Sequence, residues 1–288
     1  MPPLISSSSS PVQAGSPLPS DPKTRLTAAG CRAHDELITD EDRKSLDTSL
    51  SSLIDHNKTE IRAHAEALNR LGSLDWNDTL RVSDVARDVL MQVASDRPAM
   101  IAALAQLAER PEMFARCEMD DFFYRIVLAE DHETGVSLRL HFLKSNEREQ
   151  PHNHRATFAS LLLSGGYRHS LYQVPDEFMR RTDGQQGRPG ISPAEILQLR
   201  PSHTRYESAG SYYALHHSAF HTTIPTADHI SLVARGPSSR RRLLIFYQEE
   251  RRAEWLYGGV DETPQQLLRK KLPVETYQGL VSRVERVI

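Results

Sequence analysis

His152-Asn153-His154-Arg155-Ala156-Thr157-Phe158, running on to Ser164-Gly165-Gly166, is the stretch from which the rest of this 288-residue chain can be read. Side chains two apart on an extended strand share a face, so His152 and His154 can grip one ion from one strand. Sixty-seven residues after His154 a third imidazole, His221, lies in a separate strand-like segment with its own glycine, Gly210. Three neutral imidazoles that converge on one point suit a metal ion, and ligand type alone leaves iron, zinc, copper, nickel and manganese open. His216 and His217 crowd the third ligand, and either could replace His221. Alternatively one of them orients His221 or moves a proton, which makes His216 a candidate catalytic residue.

The glycines check the spacing. The usual first cupin motif runs His-x-His, three or four residues, Glu, six residues, Gly; counted from His154 it puts Phe158 at the Glu and Gly165 on the Gly. The second motif runs Gly, five residues, Pro-x-Gly, two residues, His; from Gly210 it puts His216 at the Pro, Ser218 at the inner Gly and His221 on the histidine. This resembles a cupin. The resemblance implies a mainly β fold, a double-stranded β-helix or jelly-roll barrel; apolar periodicity adds a helical segment before it and a helical tail after it.

The stretch from Phe123 to Pro237 resembles more narrowly the thiol dioxygenases, the cysteine dioxygenase group of cupins. In that family an arginine that binds the substrate carboxylate lies on a strand about one hairpin ahead of the His-x-His pair, the place taken here by Phe123-Tyr124-Arg125-Ile126-Val127. Ser231-Leu232-Val233-Ala234-Arg235-Gly236-Pro237 resembles the family's closing strand, with Val233 and Arg235 where a histidine and a tyrosine stand near the iron. The Ser-His-Tyr relay is therefore absent, and Ala159 occupies the place of the crosslinking cysteine. The resemblance implies the barrel, a three-histidine iron site and a substrate clamp at Arg125. Arg235 could do the same from the closing strand, since a guanidinium fork matches a carboxylate.

With Phe158 at the carboxylate position, all protein ligands are neutral and a divalent metal keeps its full charge, which favours an anionic chelating substrate. The expected function is a mononuclear non-haem Fe(II) oxygenase that uses O2 on a small metabolite bearing a carboxylate or amine. Asn153 between the histidines fits a two-histidine, one-carboxylate triad poorly. The alternatives are a Zn, Mn or Ni cupin acting as a Lewis acid in an isomerase, lyase or hydrolase, and a non-catalytic metal- or ligand-binding cupin. Phe158 lines the expected substrate side. Tyr213, Tyr172 and Tyr167 are candidate pocket phenols, Tyr213 the one taken as catalytic, although tyrosines on strands mostly pack. His169, after the Gly165-Gly166 turn, reads as structural.

Outside this stretch the chain is plainer. Residues 1–35 are dense in Ser and Pro, which predicts a disordered tail; the start has neither the charge nor the apolar run of a signal peptide or membrane span. Residues 40–115 carry apolar positions at helical spacing, including Leu46, Leu50, Leu53 and Ile54, then Val85, Val89, Leu90 and Val93, which predicts about four helices packed on the barrel as a lid or a dimer surface. The barrel is expected over 120–250, with Val136, Leu138 and Leu140 alternating as in a half-buried strand, Phe158, Ser160 and Leu162 continuing the strand that His152 begins, and 176–191 a long loop near its mouth. A helical extension is expected over 251–288. The net charge of −3 and the short Arg240-Arg241-Arg242 cluster argue against nucleic acid. Two scattered cysteines, Cys31 and Cys117, argue against a disulfide framework and suggest a reducing cytoplasm. A homodimer is expected by analogy with other cupins.

Overall fold

The structure is a computed structural model that describes residues 44, 64–120, 122–144, 149–175, 177–178, 190–225, 229–257 and 262–288. The chain divides into two units, Met1–Asp47 and Thr48–Ile288, and the barrel with its helices lies within the second. The tail expected over 1–35, the earliest expected helix and most of the 176–191 loop lie outside the described residues.

Period-two alternation builds two antiparallel sheets. In the first the order is β1(Glu118–Met119)-β2(Phe123–Glu130)-β3(Ser137–Leu143)-β9(Ile230–Arg235)-β4(Phe158–Ser164)-β7(Tyr212–Leu215). In the second, β6(Pro201–Ser208)-β5(Gly166–Tyr172)-β8(Phe220–Pro225) lies on one side of His152, and β10(Arg242–Tyr247)-β11(Arg252–Tyr257) on the other. His152 joins the two halves by bridges to His221 and Ile245. From β3 onward the chain passes repeatedly between sheets, and the strand order β3-β9-β4-β7 facing His152-β8-β5-β6 is that of a jelly roll. The fold is thus the cupin-type double-stranded β-helix expected.

Two turns secure the register. Gly165 (φ 67°) links β4 to β5 and Gly210 (φ 85°) links β6 to β7, a left-handed backbone that glycine adopts without a Cβ penalty. Both are the motif glycines.

The helices α1 (residues 64–72), α2 (Thr79–Ser95), α3 (Arg97–Leu107) and α4 (Pro111–Phe114) precede the barrel. Asp78 and Asp96 cap α2 and α3 by accepting from the backbone N–H groups of Arg81 and Ala99. A short α5 (Pro193–Gln198) lies within the barrel sequence, and α6 (Pro264–Arg269) and α7 (Val274–Val287) end the chain. Val82, Ala86, Val89 and Leu90 of α2 and Tyr277, Leu280 and Val284 of α7 share one core with Leu138, Leu140, Phe142, Leu232 and Ala234 of the first sheet. The described residues of α1–α4, with α7, therefore pack on the outer face of that sheet, while α5 packs through Ile196 against Phe220, Leu244 and Phe246 of the second. The Tyr212 hydroxyl on β7 reinforces the packing of α2 by donating to the Ser83 carbonyl at 2.6 Å.

Two expectations need correction. Arg252–Tyr257 is a strand paired along its length with β10, so the helical extension begins at Pro264 and not at 251. His152 also does not start the strand that contains Phe158: it pairs in the second sheet, whereas β4 belongs to the first. Arg155, Ala156 and Thr157 carry the chain across between them. Among the described residues, no helix is long and apolar enough to cross a membrane.

Candidate metal centre

His152 and His221 oppose each other across an antiparallel pair. The His152 N–H donates to the His221 carbonyl at 3.1 Å and the His221 N–H to the His152 carbonyl at 3.0 Å, so both side chains leave the ladder on one face. Asn153, fully buried between the ligands, locks the segment to β10: its N–H donates to the Leu244 carbonyl at 3.1 Å and its side-chain oxygen accepts from the Leu244 N–H at 2.7 Å. The His154 N–H donates to the His217 carbonyl at 3.0 Å. The backbone of this short segment is thereby tied down on both sides of each ligand.

The result is one cluster. The ligand atoms of His152, His154 and His221 all lie within 4.8 Å of one another, with the His154 and His221 Nε2 atoms 2.6 Å apart. Two imidazole lone pairs cannot share that space without a cation or a proton between them. Burial, first, and then the neighbouring imidazoles push protonation of His154 and His221 well below the ordinary range, so a proton is the poorer occupant. With metal–nitrogen bonds of about 2.0–2.1 Å two ligand nitrogens stand about 2.9–3.4 Å apart, so these two need to part by less than about 1 Å. The donor set fits a divalent metal.

The partners of the rings set their tautomers. His152 Nδ1 lies 2.8 Å from the Gln150 carbonyl, which can only accept, so Nδ1 carries the proton and Nε2 keeps its lone pair. His221 is set through a longer chain. Arg205 Nε donates to Glu207, whose carboxylate lies 3.2 Å from His169 Nδ1, and His169 Nε2 lies 3.0 Å from His221 Nδ1. An ionised carboxylate only accepts; His169 therefore donates from Nδ1 and accepts at Nε2, which leaves His221 donating from Nδ1 with its Nε2 lone pair facing the cluster. His169 is 1% exposed and Glu207 4%. His169 thus has a place behind the centre that its reading as a structural residue missed, and the signal was available: it is two residues from Tyr167 on one strand and must share its face.

Phe158, at the usual carboxylate position, places its ring 4.7 Å from that of His154 and 6.1 Å from that of His221. Tyr213 lies behind Phe158, with rings 6.1 Å apart, and 4.7 Å from His169; its oxygen accepts from the Tyr167 hydroxyl at 2.7 Å. Burial pushes the Tyr213 phenol above its usual range. Tyr213 and Phe158 are therefore wall residues of the same interior.

His216 does not join them. Its Nδ1 pairs with the Ser218 hydroxyl at 2.7 Å and its ring stacks 4.0 Å from that of His217, whose Nδ1 lies 3.3 Å from the Thr157 hydroxyl. Both residues lie at the turn closed by the Ala219 N–H to His216 carbonyl bond, and neither belongs to the three-histidine cluster. The expected catalytic contact of His216 is absent among the described residues, and His217 is no rival for His221.

Neither a family model nor a curated protein sequence matches this chain. Among solved structures it is similar to KdgF from Halomonas sp., at 13% identity and a TM-score of 0.28 over 42% of this chain and 86% of that one. An RmlC-like cupin from Shewanella frigidimarina is similar at 12% and 0.28, over 43% and 86% of the two chains. Oxalate decarboxylase from Bacillus subtilis is similar at 12% and 0.31, over 54% of this chain and 34% of that one. The fold assignment rests on the strand order of the two sheets and needs nothing from these likenesses.

The interior face of the first sheet completes the surroundings. Leu138, Leu140 and Phe142 join the helix-covered core, so Ser137, Arg139 and His141 point inward, as do Ser231, Val233 and Arg235 on β9 by the same parity. Arg235 lies opposite Phe158 in register and opposite Ser137 on its other side. It donates to the Gly236 carbonyl at 3.1 Å and the Ser238 hydroxyl at 2.5 Å, and burial, above all, lowers its pKa to about 10. Arg125 lies opposite His141 one strand further out and is tied to Glu118 by an ion pair.

Proposed function

We propose that the protein is a mononuclear non-haem Fe(II)-dependent oxygenase of the cupin type, with His152, His154 and His221 holding the metal. The observation that carries the reading is the neutral donor set. Three imidazoles form the cluster, and the ring of Phe158 stands 4.7 Å from that of His154, where a carboxylate would otherwise complete the set. Bound there, Fe(II) would supply redox chemistry with O2 at coordination positions that the protein leaves open.

The chain's own residues do the rest. Gln150 and the Glu207–His169 pair hold His152 and His221 in the tautomers that direct Nε2 inward. Phe158, Leu162, Tyr213, Leu215 and Val233 form an apolar cluster inside the barrel that excludes water from the space beside the histidines. Inward-facing arginines give that space positive potential, which favours a small acid over a neutral metabolite.

The test is metal analysis of the protein purified anaerobically and supplied with Fe(II), followed by electron-spin resonance with nitric oxide in place of O2. About one iron per chain and a high-spin nitrosyl signal that is lost in His221→Ala support the reading. Full occupancy by zinc or manganese with no such signal moves the protein to Lewis-acid chemistry, and no metal uptake at all leaves a binding module.

A further inference from the structure

The interior face of the first sheet carries more positive charge than the described residues neutralise. Arg125, Arg139 and Arg235 all face inward and act on one another electrostatically. The carboxylates that act on Arg139 are Glu130 and Glu118, and each has a closer partner: Glu130 pairs with Arg116 at 2.7 Å and Glu118 with Arg125. Arg139 is only 9% exposed, and its hydrogen bond runs from Nε to the Ser137 hydroxyl at 2.8 Å. Its two terminal nitrogens, where a carboxylate would bind in bidentate fashion, meet no acceptor among the described residues. Nearby, Arg125 Nε, His141 Nε2 and the carboxylate oxygen Glu130 Oε2 are buried without a hydrogen-bond partner among the described residues.

A buried guanidinium without an anion is unfavourable, since it gives up hydration that only a paired charge recovers. Burial, first, and then Arg125 and Arg235 disfavour the charged form of Arg139, and Glu130 and Glu118 offset them only in part. Its place is also suited to a ligand. Arg139 lies opposite Val233 on β9, which lies opposite Ser160 on β4, two residues from Phe158. Adjacent strands are about 4.8 Å apart, so Arg139 is about 10 Å across the sheet from the strand that carries Phe158. Arg235 sits between, close enough to act electrostatically on His154. Arg125, one strand further away and already paired, is the poorer clamp.

We propose that Arg139, with Arg235 beside it, binds an anionic group of the substrate, and that the substrate is a small dicarboxylic acid with one carboxylate at the three-histidine centre and the other on Arg139. The metal end of this statement rests on the function proposed above; the arginine end does not. A diacid satisfies both requirements of the interior: an anion for a metal held only by neutral ligands, and an acceptor for a guanidinium that has none.

Isothermal titration of the metal-loaded full chain with succinate and with butyrate, which has the same length but a single carboxylate, tests it. Wild type should bind succinate at least tenfold more tightly, and Arg139→Met should erase that preference while metal affinity stays within twofold of wild type. Arg139→Met should also melt no lower than wild type, because removing an unpaired buried charge relieves the fold. Equal binding of the two acids by wild type, or a preference that survives in Arg139→Met, overturns the proposal. If Arg139→Met does not fold, Arg139→Lys keeps a point charge without the fork and should retain only part of the preference; full retention overturns it.

Should the protein take up no metal, the metal reading fails and the arginine is tested alone. Sulfate should then raise the melting temperature of chelator-stripped wild type by more than it raises that of Arg139→Ala. Equal shifts in the two proteins overturn the anion site.

Discussion

The two faces of the first sheet are made by the same strands and do opposite things. On β3, Leu138, Leu140 and Phe142 face the helices and are fully buried, while Ser137, Arg139 and His141 face the barrel interior. On β9, Ile230, Leu232 and Ala234 face out into the helical core, and Ser231, Val233 and Arg235 face in. Neither face meets solvent as an ordinary sheet surface does. The outer face is a hydrophobic joint that binds the N- and C-terminal helices to the barrel, and the inner face is a charged wall opposite the histidine cluster. Parity alone divides stability from chemistry, one residue at a time along each strand.

The sharpest way to break the comparison is to damage each face separately. His154→Ala should take metal content from about one per chain to near zero, measured by elemental analysis after dialysis, while the far-UV circular dichroism stays as in wild type. Retention of full stoichiometry would remove His154 from the ligand set. Leu232→Ala on the outer face should do the reverse: a loss of about 2–5 kcal/mol in denaturant unfolding, the usual cost of a cavity in a close-packed core, with metal stoichiometry of the folded fraction unchanged. If Leu232→Ala instead loses metal while its stability holds, the two faces are not independent.

A smaller effect probes how the inner side is organised. Glu207→Gln can donate as well as accept, so His169 no longer has one imposed tautomer and His221 loses its fixed orientation. Metal affinity, read by competition with a chromophoric chelator, should fall by about 10- to 100-fold, the usual consequence of cutting a hydrogen bond behind a ligand. An unchanged affinity would mean that the backbone pairing of His152 with His221 aims the ring without help.

How much of this was legible beforehand follows from the same parity. The His-x-His pair, His221 and the two glycines located the histidine cluster and the turns because each makes a local demand: side chains that reach one point from one strand need period two, and a left-handed turn favours glycine. Alternation at Val136, Leu138 and Leu140 identified a strand but not which side of it faced water. Arg139 and His141 therefore received no role from the pattern, because the side they face is set by the helices that cover the apolar face. The Glu207–His169 link joins strands β6 and β5, whose pairing no single-segment pattern reveals. The Phe158 ring does stand beside that of His154, but Phe158 and His152 are not on one strand, and the crossing at Arg155 to Thr157 contains neither glycine nor proline to mark it.

Proton uptake by one buried histidine tests the seam between the two faces. His229, 1% exposed, lies just ahead of β9, and its Nδ1 accepts from the Leu143 N–H at 3.3 Å. The ring also meets that of Tyr167 at 5.0 Å, with His141 and Arg283 near enough to act on it electrostatically. Burial, first, and then the Arg283 charge lower its pKa from 6.5 to about 3. Protonation would remove the lone pair that the Leu143 N–H needs and would charge a buried site where, among the described residues, the group that acts on the ring is the cation Arg283. Below about pH 6.5 the unfolded chain therefore binds a proton that the native chain refuses, and stability falls as pH falls from about 6.5 toward 3. The slope from this one group is at most about 1.4 kcal/mol per pH unit. In His229→Gln, whose side-chain oxygen can still accept from Leu143, unfolding free energy measured between pH 6.5 and 4 should lose that part of its slope while other groups keep theirs. A slope identical to wild type would show that the native chain admits the proton, and hence that water reaches the seam between the helical core and the charged interior.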